Sequence, residues 1–182
     1  MIARTPRILM LAAMMLAALP LSASPAKSHD EKTLPAPTKG VTVEGSFHDV
    51  EVAVKPGDKV RVTVDMEISA STDAKANELI KEYAPTYVEK DGTLTIRSRR
   101  KSNPGFNWGF LKMQGRITVE LPPDLDLTLD TASGDCVLNG DLGKGKFFAD
   151  VASGEVRVKG AAAEFKVDAA SGNFTGELTR PT

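Results

Sequence analysis

Valine stands at every second position over several stretches of this chain: Val41 and Val43, then Val50, Val52 and Val54, then Val60, Val62 and Val64. Period two with β-branched side chains predicts strands that present one apolar and one polar face. Pro56-Gly57-Asp58 lies between the last two groups and predicts a turn joining them as a hairpin. One segment breaks the alternation. Thr72 suits a helix N-cap, Asp73 favours the positive end of the dipole, and Ala76, Leu79, Ile80 and Tyr83 share a helical face until Pro85 stops it. Strands resume at 87–89 and 93–97 around Asp91-Gly92, and at 116–121, which ends on Pro122-Pro123.

From Leu125 to Leu178 the pattern repeats as whole units. Ala-Ser-Gly recurs at 132–134, 152–154 and 170–172, at intervals of 20 and 18 residues. Alignment of the copies brings together Leu127, Phe147 and Phe165, then Leu129, Ala149 and Val167, then Thr131, Val151 and Ala169. After the turn Cys136, Val156 and Phe174 coincide, and Leu138 with Val158 and Leu142 with Ala162 extend the register. The positions between them are mainly polar and include Asp130, Asp150 and Asp168. Each copy reads as strand, Ala-Ser-Gly corner, strand, and a second corner marked by Gly140, Gly160 or Gly176. Copies laid roughly 4.8 Å apart would form inward apolar ladders that no single copy could bury. A meander of antiparallel strands also alternates, but it does not explain why corners superimpose along with strands. The fold class expected is therefore all-β: a β-solenoid of stacked strand–turn–strand repeats, preceded by antiparallel strands and one short helix.

The ends of the chain set its organisation. Arg4 and Arg7 precede an apolar run from Ile8 to Leu19, and Ser24-Pro25-Ala26 offers a small-x-small site, the layout of a secretory signal peptide over residues 1–26. Cleavage after Ala23 is the alternative, disfavoured by Leu21. Removing residues 1–26 leaves 156 residues and takes the formal charge from −1 to −3, enough chain for one domain and no basic excess for nucleic acid. Residues 27–40, with Pro35, Pro37 and Gly40 and no apolar period, read as a flexible leader. The ordered domain is expected over 41–178, with 179–182 as a tail. Cys136 is the sole cysteine, so the core must hold without a disulfide within the chain.

Arg116-Ile117-Thr118-Val119, Leu121-Pro122-Pro123, the strand from Leu125 to Thr131 and the Ser-Gly-Asp, Ser-Gly-Glu and Ser-Gly-Asn turns at 133–135, 153–155 and 171–173 resemble the bacterial "putative adhesin" family of exported β-strand repeat proteins. The resemblance extends backward through Gly92-Thr-Leu-Thr-Ile-Arg-Ser98 to Val41-Thr-Val-Glu-Gly45. It implies an exported repeat fold and an adhesin-type role, and supplies no catalytic or binding residues.

Enzyme signatures are thin. His29 and His48 are the only histidines, His29 in the expected leader, so a Ser-His-Asp triad would have to rest on His48. No Gly-x-Ser-x-Gly elbow occurs, and Gly143-Lys144-Gly145-Lys146 lacks the spacing and the following hydroxyl of a phosphate loop. Ser133, Ser153 and Ser171 repeat with the corners and read as turn residues, while Cys136 falls on an inward ladder as a buried thiol. Stacked Asp130, Asp150 and Asp168 bring like charges together, which calcium could relieve. Bonds from backbone N–H groups at the corners and solvation do so without a metal. No cofactor is called for.

The segment 97–113 is the candidate contact site. Arg97, Arg99, Arg100 and Lys101 run into Phe106, Trp108, Phe110, Leu111 and Met113, with Gly105 and Gly109 interrupting any period. Basic and aromatic side chains together suit a protein, a glycan or an anionic envelope surface. Arg99, Arg100, Phe106, Trp108 and Phe110 are the residues named for it. The competing structural role is a cap folded over the open first rung. At the other end only Arg180 and Pro181 follow the apolar Phe174 and Leu178. That edge is expected either to pair with a second copy as a homodimer or to continue in a longer parent chain. The whole reads as a non-enzymatic exported envelope protein, periplasmic or extracellular, an adhesin or binding module. An exported hydrolase with an unrecognised site is the alternative.

Overall fold

The structure, a computed structural model, describes residues 24–101 and 110–179. The strands are β1 (Ala26–Pro35), β2 (Gly40–Gly45), β3 (His48–Val54), β4 (Lys59–Ala70), β5 (Thr86–Lys90), β6 (Thr93–Arg97), β7 (Leu111–Leu121), β8 (Asp126–Thr131), β9 (Cys136–Asn139), β10 (Lys146–Ser153), β11 (Val156–Gly160), β12 (Glu164–Ser171) and β13 (Phe174–Leu178), with one helix, α1 (Asp73–Tyr83). They form two mixed sheets, ordered β1-β4-β7-β3-β9-β11-β13 and β12-β10-β8-β2-β6-β5. The apolar positions of both sheets face each other and form one core, from Val60, Val62 and Val64 at one end to Phe147, Val151 and Val156 at the other.

The repeat copies stack in parallel and in the register read from their alignment. Leu127 pairs Phe147, which pairs Phe165; Leu129, Ala149 and Val167 follow, and Cys136, Val156 and Phe174 form the matching row on the opposite sheet. Leu127, Leu129, Phe147, Cys136 and Val156 are fully buried, while Asp150 and Asp168 are exposed and Asp130 is partly exposed on the outer face. The corner glycines are required twice over. Gly154 has φ +144°, and a Cβ there would stand 2.2 Å from the Gly134 carbonyl oxygen of the next rung. Gly176 departs from the expected pattern: it lies inside β13 opposite Val158, and no corner forms there.

Each rung crosses from one sheet to the other, and their spatial order is not the chain order. β2 pairs in parallel with both β8 and β6, and β3 with both β9 and β7, so residues 40–54 lie between the 93–121 and 126–139 passes. The fold is thus not one continuous winding. It also corrects the expectation that all strands before the repeats are antiparallel, which holds only for β1, β4 and β5. The expected hairpin of 50–54 with 60–64 is likewise split. The chain reverses at Pro56-Gly57-Asp58, but β7 inserts between β3 and β4 and pairs with both.

Within residues 27–40, expected as a flexible leader, 27–35 belong to the edge strand β1, which pairs with β4 from Lys59 to Ile68. Backbone bonds to β4 hold this strand, and Leu34 is one of few side chains it lends to the core, so its sequence carries no apolar signal. The helix meets its expected signals: the Thr72 hydroxyl accepts the Lys75 N–H at 3.2 Å, and Ala76, Leu79 and Tyr83 are buried against β4 and β1. Asp91 and Gly92, both with positive φ, turn the β5–β6 hairpin. No described helix is long and apolar enough to cross a membrane.

Candidate functional site

The described ends of the 97–113 segment belong to β6 and β7. It leaves β6 in one sheet and returns as β7 in the other, at the place where the repeats use Ala-Ser-Gly. It lies toward the β1 and β5 end of the stack, with β6 second from the edge of its sheet and β7 third from the edge of its own. The first Ala-Ser-Gly rung has β2 and β3 laid on it, so that rung needs no aromatic cap; α1 and β1 pack against β4 at that end of the molecule. Residues 102–109, which would form an aromatic cap, lie outside the described residues.

The arginines named from the sequence anchor the base of the loop. The Arg97 guanidinium grips Glu44 through two bonds of 2.7 and 3.0 Å, and this contact holds the Glu44 carboxyl below the usual range. Arg99 donates to the Gly45 carbonyl at 3.2 Å, to the Asp130 carbonyl at 3.2 Å and to the Asp130 carboxylate. It thereby ties β6 to the β2 and β8 rungs. Arg100 reaches back to Glu82 of α1 at 2.6 Å. All three arginines have acidic partners, so they do not form a free cationic patch. At the other side of the loop Phe110 is 70% exposed and Leu111 52%. Phe106 and Trp108 lie outside the described residues.

Beneath this corner is a buried polar cluster that the sequence did not reveal. Ser98 and His48 are both fully buried, with Ser98 Oγ 3.2 Å from His48 Nε2 and 2.7 Å from the Tyr83 carbonyl oxygen. The ring of His48 stacks on Phe47 at 4.3 Å, and Phe47 meets Tyr83 edge-on at 5.0 Å. Ser46 N–H points at His48 Nδ1 from 3.5 Å. These partners assign the tautomer: Nδ1 is the acceptor, so Nε2–H donates to Ser98 Oγ, which donates to the carbonyl of Tyr83. Burial drives the His48 pKa down to about 4, only weakly opposed by Asp49. A base must accept the proton of its nucleophile, and here the proton flow is fixed in the opposite sense with no water access. The Ser-His pair is a corner staple rather than a dyad.

Two outer-face features complete the inventory. A shallow open groove of about 650 Å³ runs over β1, β4 and β7, lined by Lys27, His29, Asp65, Glu67, Gln114 and Arg116. His29, expected in a disordered leader, sits here on β1 and bonds Asp65 at 2.7 Å, which raises its pKa. Lys27 pairs Glu67 at 3.1 Å and Arg116 pairs Glu51 at 2.9 Å, so these charges too are matched. On the other sheet Asp130, Asp150 and Asp168 align with Glu44 in one row. The row is relieved at its ends by Arg97, Arg99 and Lys166. Among the described residues no group of acids, histidines or cysteines has a metal-holding arrangement. The corner N–H groups are accepted instead by a different set of acids. Asp49 takes the N–H of Asp135 and Asp135 that of Glu155, each at 3.0 Å, one rung to the next.

Solved structures of similar outline come from Clostridium and Parabacteroides. A "putative cell adhesion protein" from Clostridium sporogenes shares 10% identity at a TM-score of 0.39, over 86% of this chain and 100% of its own. A "putative adhesin" and a "putative lipid binding protein" from Parabacteroides distasonis each share 10% identity, at TM-scores of 0.34 and 0.31. Each covers 84% of this chain, and 70% and 95% of their own. Likeness at this level transfers no ligand to this chain. No curated protein matches it. The family model described as Toastrack DUF4097 matches residues 43–177, from the second strand to the last, and the chain belongs to that family.

Proposed function

We propose that this is a non-enzymatic exported envelope protein, an adhesin-type binding module whose solenoid-like stack displays the 97–113 corner as its contact site. The observation that carries this reading is the pairing of Phe110 and Leu111, largely exposed, with a corner whose base is locked by three arginine–carboxylate contacts. Large apolar side chains held out on a fixed base are what a contact surface requires. Since the arginines are spent internally, the contact is apolar and aromatic in character, and a protein or glycan face suits it better than an anionic lipid surface. The enzyme alternative is weakened because the Ser98–His48 pair is bonded in the direction opposite to the one a general base needs.

Pull-down from envelope extracts of the source cell tests the proposal, comparing the protein with a Phe110→Ser, Leu111→Ser variant. Both side chains are exposed, so the melting temperature should hold while capture falls. Equal capture by the variant would remove the corner as the contact site.

A further inference from the structure

The two ends of the stack are built differently. At one end the edge strand β1 is polar and charged, from Lys27 through Lys32, and α1 packs beside it on β4. Charge and a covering helix are ordinary protection for an edge. At the other end β12 and β13 are the last strands of both sheets, with nothing laid on them among the described residues. Phe174 and Leu178 are 46% and 52% exposed, and Phe165 and Val167 are only half-buried although they continue the core rows.

We infer that this end docks a second copy of the chain, with β12 against β12 and β13 against β13, each pair antiparallel about one two-fold axis. The charge pattern supports this and selects the register. The outward residues of β12 are Glu164, Lys166 and Asp168. Pairing centred on Val167 sets Lys166 of each copy opposite Asp168 of the other and Glu164 opposite Ala170. On the core side it sets Phe165 against Ala169, large against small. Slipping the centre by one residue either way sets Lys166 against its own copy or Asp168 against its own copy, and like charges opposite each other are destabilising. In β13 the matching centre is Gly176, which sets Phe174 against Leu178 and Thr175 against Glu177. The two centres agree with a single axis, since Val167 lies five residues before the corner Gly172 and Gly176 four after it. Glu164 and Glu177 are already neutralised by Lys146 at 3.0 Å and Lys159 at 3.7 Å of the preceding rung, so no acid faces the join unpaired.

Eight residues of β12 at about 3.3 Å each, across two sheets about 10 Å apart with their side chains, give roughly 500 Å² per copy. That is the low end of specific interfaces, so the association should be reversible, with Kd on the order of micromolar. Sedimentation of the purified protein from about 1 to 500 µM should show the transition. Lys166→Asp alone and Asp168→Lys alone place like charges across the join twice over, and each should weaken dimerisation about tenfold or more. The double swap Lys166→Asp, Asp168→Lys should restore it. Both side chains are exposed in the monomer, so melting curves at low concentration serve as the folding control. Amide exchange at Lys166, Asp168 and Gly176, whose N–H groups point away from β10 and β11, in the unaltered protein should slow as concentration rises. A protein monomeric throughout, single variants that associate as well as the original, or a double swap as weak as the singles would each overturn the inference.

Discussion

Lowering the pH should destabilise this protein through His48 before its carboxylates are affected. The imidazole is fully buried under the 97–113 corner, stacked on Phe47 and donating to Ser98, with no acid in contact to welcome a second proton. Its pKa is about 4 in the fold against 6.5 in the unfolded chain. Between those values the unfolded chain binds the proton more readily, so the stability His48 contributes is complete above pH 6.5. It is lost as the pH falls toward 4. Below about 4 both states are protonated and the loss stops growing. At roughly 1.4 kcal/mol per pH unit the gap is worth about 3 kcal/mol, a large part of a total of about 5–15. Urea unfolding at pH 7.5, 5.5 and 4.5 measures it, with His48→Phe as the control. That variant keeps the flat ring on Phe47, does not titrate, and leaves Ser98 its bond to the Tyr83 carbonyl. Glu44 and Glu120, held low by Arg97 and Lys55, lose their contribution at still lower pH and do so in both proteins. The original should lose about 2.5 kcal/mol more than the variant between pH 7.5 and 4.5. Equal slopes would refute a neutral, buried His48.

Two further outcomes test the core. Val156→Asp puts a carboxylate at a fully buried position between Cys136 and Phe174, at a cost of several kcal/mol, and circular dichroism should show the protein unfolded. A cooperative melt would contradict the ladder. Cys136 is buried beside Val156, and burial pushes its thiol up to about 12, so iodoacetamide at pH 8 should modify it only in denaturant. Native-state alkylation at the rate of a free thiol would place it outside the core.

The sequence disclosed what repeats in chain order and hid what does not. Residues 125–178 could be read because each copy stacks on the next, so one spacing aligns strands, corners and inward rows together. The 40–54 pass obeys the same alternation, but it stacks between rungs far from it in sequence, and no period marks such a placement. Nor could the arginine run be told from a cationic patch. Glu44, Asp130 and Glu82, which neutralise it, lie 18 to 53 residues from their partners and on three different elements.

One local mark did exist. Asp49-Val50-Glu51-Val52 has the form of Asp135-Cys136-Val137-Leu138 and Glu155-Val156-Arg157-Val158: an acid, then apolar residues two apart. The acid recurs for a physical reason. A rung leaving its corner has one backbone N–H with no strand partner yet, and the carboxylate of the rung beside it accepts that proton. Ala-Ser-Gly describes how a corner turns, and a corner can turn by other means, as Phe47 and His48 do through stacked rings. The acid describes how one rung holds the next, which every interior rung must do in some form. It is therefore the better sign of membership in the stack, and it places 48–54 in register with the repeats without any use of spacing.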